Sequence, residues 1–293
     1  DGMAHGPCAA DGCGSGAALE MTKWFDTNYH YLVPEFGPWT TFRVGSQRLF
    51  DEVAQTQALG YPVKAVLLGP LSFLWLGKEK SDGFDRLGLL DALLPVYRQV
   101  LERLAAMGVE WVQLDEPILG LDLPASWQNA FERAYHTLHG SRVSILLATY
   151  FSSLTGQIGL ISRLPVDGLH IDAVRAAEDL QPVLSWLPAH RELSVGVIDG
   201  RNVWRTDLDR ALAMLQPVLE RRDGRLWIAP SCSLLHVPFS LERDAMLAPE
   251  LRTWVAGARE KLHELHVVKC ALIDGEAAMH DELREARAAL AAR

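Results

Sequence analysis

The sequence predicts an α/β fold: a (β/α)8 barrel of the TIM type, incomplete at its amino-terminal end, with about six βα units present. Three observations predict it. Short apolar runs recur along the chain, each ends at a polar or glycine-bearing tip, and a stretch of helical apolar spacing follows.

Taken in order, residues 1–19 are mostly Gly and Ala without apolar period, and read as a flexible leader or linker. Cys8 and Cys13 lie inside it, with four residues between them and no second ligand pair nearby, and read as idle thiols. Residues 21–34 (MTKWFDTNYHYLVP) crowd Lys23, Asp26, Asn28 and His30 among four aromatic rings, which breaks strand alternation and marks a site wall rather than a core strand. Strands are expected at 63–68, 111–114, 143–148, 168–171, 193–198 and 226–229. Their starts are separated by 48, 32, 25, 25 and 33 residues, a spacing that suits parallel strands joined by crossover helices. One such helix is expected over 87–107, where Leu90, Leu93, Leu94, Tyr97, Val100, Leu101 and Leu104 recur at three- and four-residue steps. Residues 249–293 are helical in pattern, with a break at Asp274-Gly275 and no further strand.

A doubly wound open sheet competes with the barrel, but it favours a glycine-rich phosphate loop after an early strand. No G-x-G-x-x-G or Walker loop occurs. Closure needs eight strands, so unless the opening stretch supplies one, the missing strands are expected upstream of Asp1. Residues 20–293 are therefore expected to form a single partial barrel.

Net charge of −9, with no lysine- or arginine-rich run, argues against a nucleic-acid partner, because phosphate neutralisation needs a basic stripe. The longest apolar runs are strand-sized, far short of the roughly 20 residues that span a bilayer, so no membrane association is expected. Four scattered cysteines make no disulfide framework, which favours a reducing, cytoplasmic location.

In a barrel, functional groups gather at the carboxyl ends of the strands. Here those ends carry Asp115, Glu116, Tyr150, His170, Asp172, Asp199 and Cys232. Asp115 and Glu116 are adjacent, so their side chains point to opposite sides and do not share a proton; one faces the barrel mouth and the other a neighbouring loop. Asp172, Cys232, His170 and His236 are residue types that zinc accepts, but no close-spaced ligand pair anchors them. The loop at 199–205 (DGRNVWR) either grips an anion with its arginines or bridges carboxylates at the rim.

Several phrases resemble one family: MTKWFDTNYHYLVP at 21–34, VLLGPLSFLWLGK at 66–78, GVEWVQLDEP at 108–117, ATYF at 148–151, GRNVWR at 200–205 and SCSLLH at 231–236. Over about residues 19–290 the chain is similar to the amino-terminal half of cobalamin-independent methionine synthase. The resemblance implies a two-barrel enzyme that transfers a methyl group from 5-methyltetrahydropteroyltri-L-glutamate to L-homocysteine. It places the family's zinc, homocysteine site and catalytic histidine in the carboxyl-terminal barrel, and folate binding partly in the amino-terminal one. It also implies that this chain lacks the opening folate-binding segments of that barrel.

Compared with the catalytic barrel, Leu147-Ala148-Thr149 replaces the H-x-C ligand pair, Asp172 stands where a glutamate ligand stands, Cys232 matches the last cysteine, and Arg201 replaces the histidine. The resemblance thus implies no metal ligand set and no catalytic residue here. Zinc is expected in the full enzyme and none in this chain. One binding residue carries over, Lys23 of the T-K-W-F motif, expected to contact the folate polyglutamate; the other reading is that it pairs with a rim carboxylate. A stand-alone folate-binding or scaffold barrel is the alternative to an enzyme segment.

Overall fold

The computed structural model of the chain describes residues 19–242 and 246–293; the leader expected at 1–19 lies almost wholly outside them, with Cys8 and Cys13. In chain order the elements are β1 (Met21–Lys23), β2 (His30–Leu32), β3 (Glu35–Phe36), α1 (Arg48–Ala58), β4 (Lys64–Leu68), α2 (Pro70–Trp75), β5 (Lys78–Glu79), α3 (Leu90–Ala106), β6 (Trp111–Asp115) and α4 (Ala125–Leu138). There follow β7 (Ser144–Ala148), α5 (Ile158–Arg163), β8 (Gly168–Asp172), α6 (Leu180–Trp186), β9 (Glu192–Ile198), α7 (Leu208–Arg222), β10 (Leu226–Pro230), α8 (Pro249–Trp254), α9 (Ala258–Asp274) and α10 (His280–Ala292).

The six long strands β4, β6, β7, β8, β9 and β10 stand in one sheet in that order. They coincide with the six expected apolar runs, each within one residue at either end. β8 and most of β7 and β9 are buried along their length, which is why these strands read as unbroken apolar runs and not as an alternation.

The described residues divide into two compact units. The first comprises 19–26, 30–149 and 156–168. In it β4 pairs with β6 and β6 with β7, both parallel, in a register that levels Leu68, Asp115 and Ala148 at the carboxyl ends. α3 turns Leu90, Leu93, Leu94, Leu101 and Leu104 into the core along one stripe. The stretch at 21–34 forms an antiparallel hairpin of β1 and β2, and β3 pairs in parallel with β5. None of these four short strands shows as an apolar run in the sequence.

The second unit comprises 27–29, 150–155 and the described residues of 169–293. In it β9 and β10 are parallel, with a register shift between Ala229 and Pro230 that brings Pro230 level with Ile198. α7 starts at Asp207, whose carboxylate accepts the Arg210 N–H at 3.0 Å, and ends in left-handed Asp223. At the start of α9, the Glu260 carboxylate reaches back to the Gly257 N–H at 2.8 Å. Among the described residues no helix is long and apolar enough to cross a membrane.

Candidate functional site

In the first unit the level strand ends put Glu116, just past β6, beside the turn from β4 to α2. Its carboxylate accepts the Leu71 N–H at 3.1 Å, the Ser72 N–H at 2.7 Å and the Tyr135 hydroxyl at 3.3 Å. It is fully buried. Burial pushes its pKa up to about 7, against the pull of the hydrogen bonds from Ser72, Leu71 and Tyr135. Asp115 goes elsewhere and accepts the Gln113 side-chain amide at 2.7 Å. The two neighbours thus diverge, as strand geometry requires, and Glu116 serves the start of a helix.

In the second unit the ends of β8, β9 and β10 gather Asp172, Asp199, Arg201, Cys232 and His236 with Phe151. Asp172 is buried and accepts three backbone N–H groups: Phe151 at 3.1 Å through one oxygen, Val174 at 3.1 Å and Arg175 at 3.0 Å through the other. Burial raises its pKa, and these three bonds oppose the rise. Phe151 is held at φ 78°, a left-handed backbone that a bulky residue adopts only when its surroundings fix it. The Arg201 guanidinium lies 4.9 Å from the Phe151 ring centre, and the His236 ring meets the rings of Phe151 and Tyr29 edge-on, at 5.8 and 6.1 Å. Burial, and then the Arg201 charge, hold the His236 pKa below its usual value.

Asp199 accepts the Arg201 N–H at 2.8 Å and the Asn202 side-chain amide, closing the 199–205 loop on itself. Arg205 stands 4.0 Å from the exposed Glu285 of α10. Gly200 packs against Cys232: a β-carbon there would come within 2.8 Å of the Cys232 carbonyl oxygen and 2.9 Å of its sulfur.

These residues do not fit a zinc ion. His170 is a core residue, with Nδ1 2.9 Å from the Ser194 hydroxyl and Nε2 3.3 Å from the Ser231 carbonyl, so the network assigns the tautomer that donates from Nε2. Burial pushes the Cys232 thiol up to about 12, with Asp172 and Asp199 adding to it. Asp172 spends both oxygens on backbone N–H groups. Among the described residues no group of three or more His, Cys, Asp or Glu side chains is spaced to hold a metal.

Lys23 ends β1, directly opposite His30 of β2, so both side chains project from the same face of the hairpin. Both are exposed, as are Met21 and Leu32 on that face, while Thr22 and Tyr31 on the other are half-buried. The Tyr31 hydroxyl donates to the Leu76 carbonyl at 3.0 Å and its ring meets Trp24 edge-on, which anchors the hairpin. Lys23 makes no ion pair among the described residues, so the rim-carboxylate reading of this lysine has no partner there. Neither the β1–β2 register nor the Glu116 nest was foreseeable from spacing, since both rest on pairings set by the folded chain.

A family model described as the cobalamin-independent synthase, N-terminal domain, matches residues 7–223. Among solved structures, the chain is similar to a B12-independent methionine synthase from Shewanella sp. W3-18-1 in complex with selenomethionine. The TM-score is 0.62 at 17% identity, covering 89% of this chain and 75% of that one. A putative vitamin B12-independent methionine synthase from Listeria monocytogenes gives a TM-score of 0.57 at 15% identity, with coverage of 84% and 73%. A methyltransferase from Methanosarcina mazei gives 0.52 at 12%, with coverage of 74% and 70%. At these identities the likeness concerns the fold.

Proposed function

Since the chain belongs to the family of cobalamin-independent synthase amino-terminal domains, we propose that it is part of a methionine synthase and contributes binding of 5-methyltetrahydropteroyltri-L-glutamate through Lys23. In this reading the strands belong to a (β/α)8 barrel, and the enzyme works in the cytoplasm. L-homocysteine and its zinc are held by a separate domain, where the metal keeps the sulfur deprotonated and nucleophilic. The strand-end cluster of this chain contributes no ligand to that metal and no catalytic group.

The observation that carries the reading is the exposed Lys23 on the β1–β2 hairpin of a chain from this family, with no ion pair among the described residues. An ammonium suits a flexible row of carboxylates because it attracts as a point charge and demands no fixed fork geometry. An exposed pair of this kind contributes up to about 1 kcal/mol, or roughly fivefold in affinity.

Calorimetric titration with 5-methyltetrahydrofolate bearing one or three glutamates tests it. The triglutamate is expected to bind more tightly, and Lys23→Ala to remove most of that difference while leaving the monoglutamate unchanged. Equal triglutamate binding by the variant sinks the assignment. The chain supplied with zinc, homocysteine and folate is expected to form no methionine.

A further inference from the structure

The exposed face of α9 carries His266 and Cys270, four residues apart and therefore stacked one turn above the other. The opposite face of the helix is anchored by buried Val267, Val268 and Ala271, which fixes the outer stripe toward solvent. The Cys270 sulfur lies 3.7 Å from His266 Nε2 and 3.9 Å from Nδ1. A tetrahedral zinc with Zn–S about 2.3 Å and Zn–N about 2.0–2.1 Å holds its sulfur and nitrogen ligands roughly 3.6 Å apart. The separation that such a metal imposes is already present, and only a turn of the imidazole is needed to aim one nitrogen at it.

We propose that His266 and Cys270 form a two-residue chelate for a soft divalent ion, zinc or cadmium, with water completing the coordination. Thiolate together with imidazole selects these ions over magnesium or calcium, which prefer oxygen. Binding forms one metal–sulfur and one metal–nitrogen bond and releases the Cys270 thiol proton to solvent. His263, a turn earlier, stays outside the chelate, its ring centre 6.4 Å from that of His266. The site lies apart from the strand-end cluster and from Lys23, and does not depend on the folate reading.

The test uses the full chain with Cys8, Cys13 and Cys232 changed to serine, so that every thiolate signal comes from Cys270. Cadmium titration is followed by the ultraviolet charge-transfer band of cadmium thiolate, with circular dichroism confirming that each variant is folded. One equivalent is expected to bind. His266→Ala is expected to weaken binding by about a hundredfold, because one arm of a chelate raises the effective concentration of the other, and Cys270→Ser to abolish the band. Absence of cadmium binding, or undiminished affinity in folded His266→Ala, overturns the proposal.

Discussion

Glu116 occupies the space in which a side chain at residue 69 would have to stand: a β-carbon on Gly69 would come within 2.2 Å of the Glu116 carboxyl carbon. The close approach lets the carboxylate reach the first N–H groups of α2. Gly69→Ala is therefore expected to lower stability by about 1–3 kcal/mol, the usual cost of overpacking a closed site. Chemical denaturation checks it, and an unchanged midpoint would count against the fit described here.

The same carboxyl group gives stability a pH dependence. Its native pKa of about 7 exceeds the ordinary glutamate value, so the native chain holds this proton more tightly than the unfolded chain does. The resulting stabilisation is fully present below the ordinary value, near 4.3, and is lost as pH rises through about 7. It amounts to something on the order of 3 kcal/mol. Glu116→Gln has no proton to lose, so the difference in unfolding free energy between the original chain and this variant is expected to shrink from pH 4.5 to 8. A pH-independent difference would show that Glu116 does not titrate in this window.

Asp172 holds the N–H groups of Phe151, Val174 and Arg175. Asp172→Ala strands three donors beside a strained Phe151 and is expected to cost about 2 kcal/mol or more. Urea denaturation gives the loss. Hydrogen exchange is expected to accelerate first at 151, 174 and 175, and retained protection there would show that other acceptors serve these groups.

The two thiols of the described chain differ in access. Cys232 is buried and its thiol is pushed up to about 12, whereas Cys270 is half-exposed. Brief iodoacetamide treatment of the native chain at pH 8 is expected to label Cys270 and to spare Cys232 until denaturant is added. Peptide mass mapping reads the pattern, and equal labelling of both contradicts the burial of Cys232.

β7, β8 and β9 were legible because burial on both faces leaves a local mark, an unbroken apolar run such as ILLA at 145–148 closed by a polar tip. The β1–β2 hairpin was not, because its strands of three residues each carry exposed Lys23 and His30 on one face and half-buried Tyr31 on the other, so no run of apolar residues marks either one. At the site, the divergence of Asp115 and Glu116 follows from strand alternation and could be stated in advance. The fate of His170 could not. Its partners Ser194 and Ser231 lie 24 and 61 residues away, and only the folded sheet brings them to the imidazole. Glu116 likewise reads in sequence as half of an acidic pair, while its carboxylate answers to Leu71 and Ser72, 45 and 44 residues earlier.

The three bonds to Asp172 also bear on any attempt to engineer a metal centre into this scaffold. Placing further metal donors around Asp172 would still leave this carboxylate committed, because it is a fastener for the backbone at 151 and at 174–175. A designer would first have to rebuild those stretches so that they hold their own shape. In this fold the order of operations is backbone before ligand.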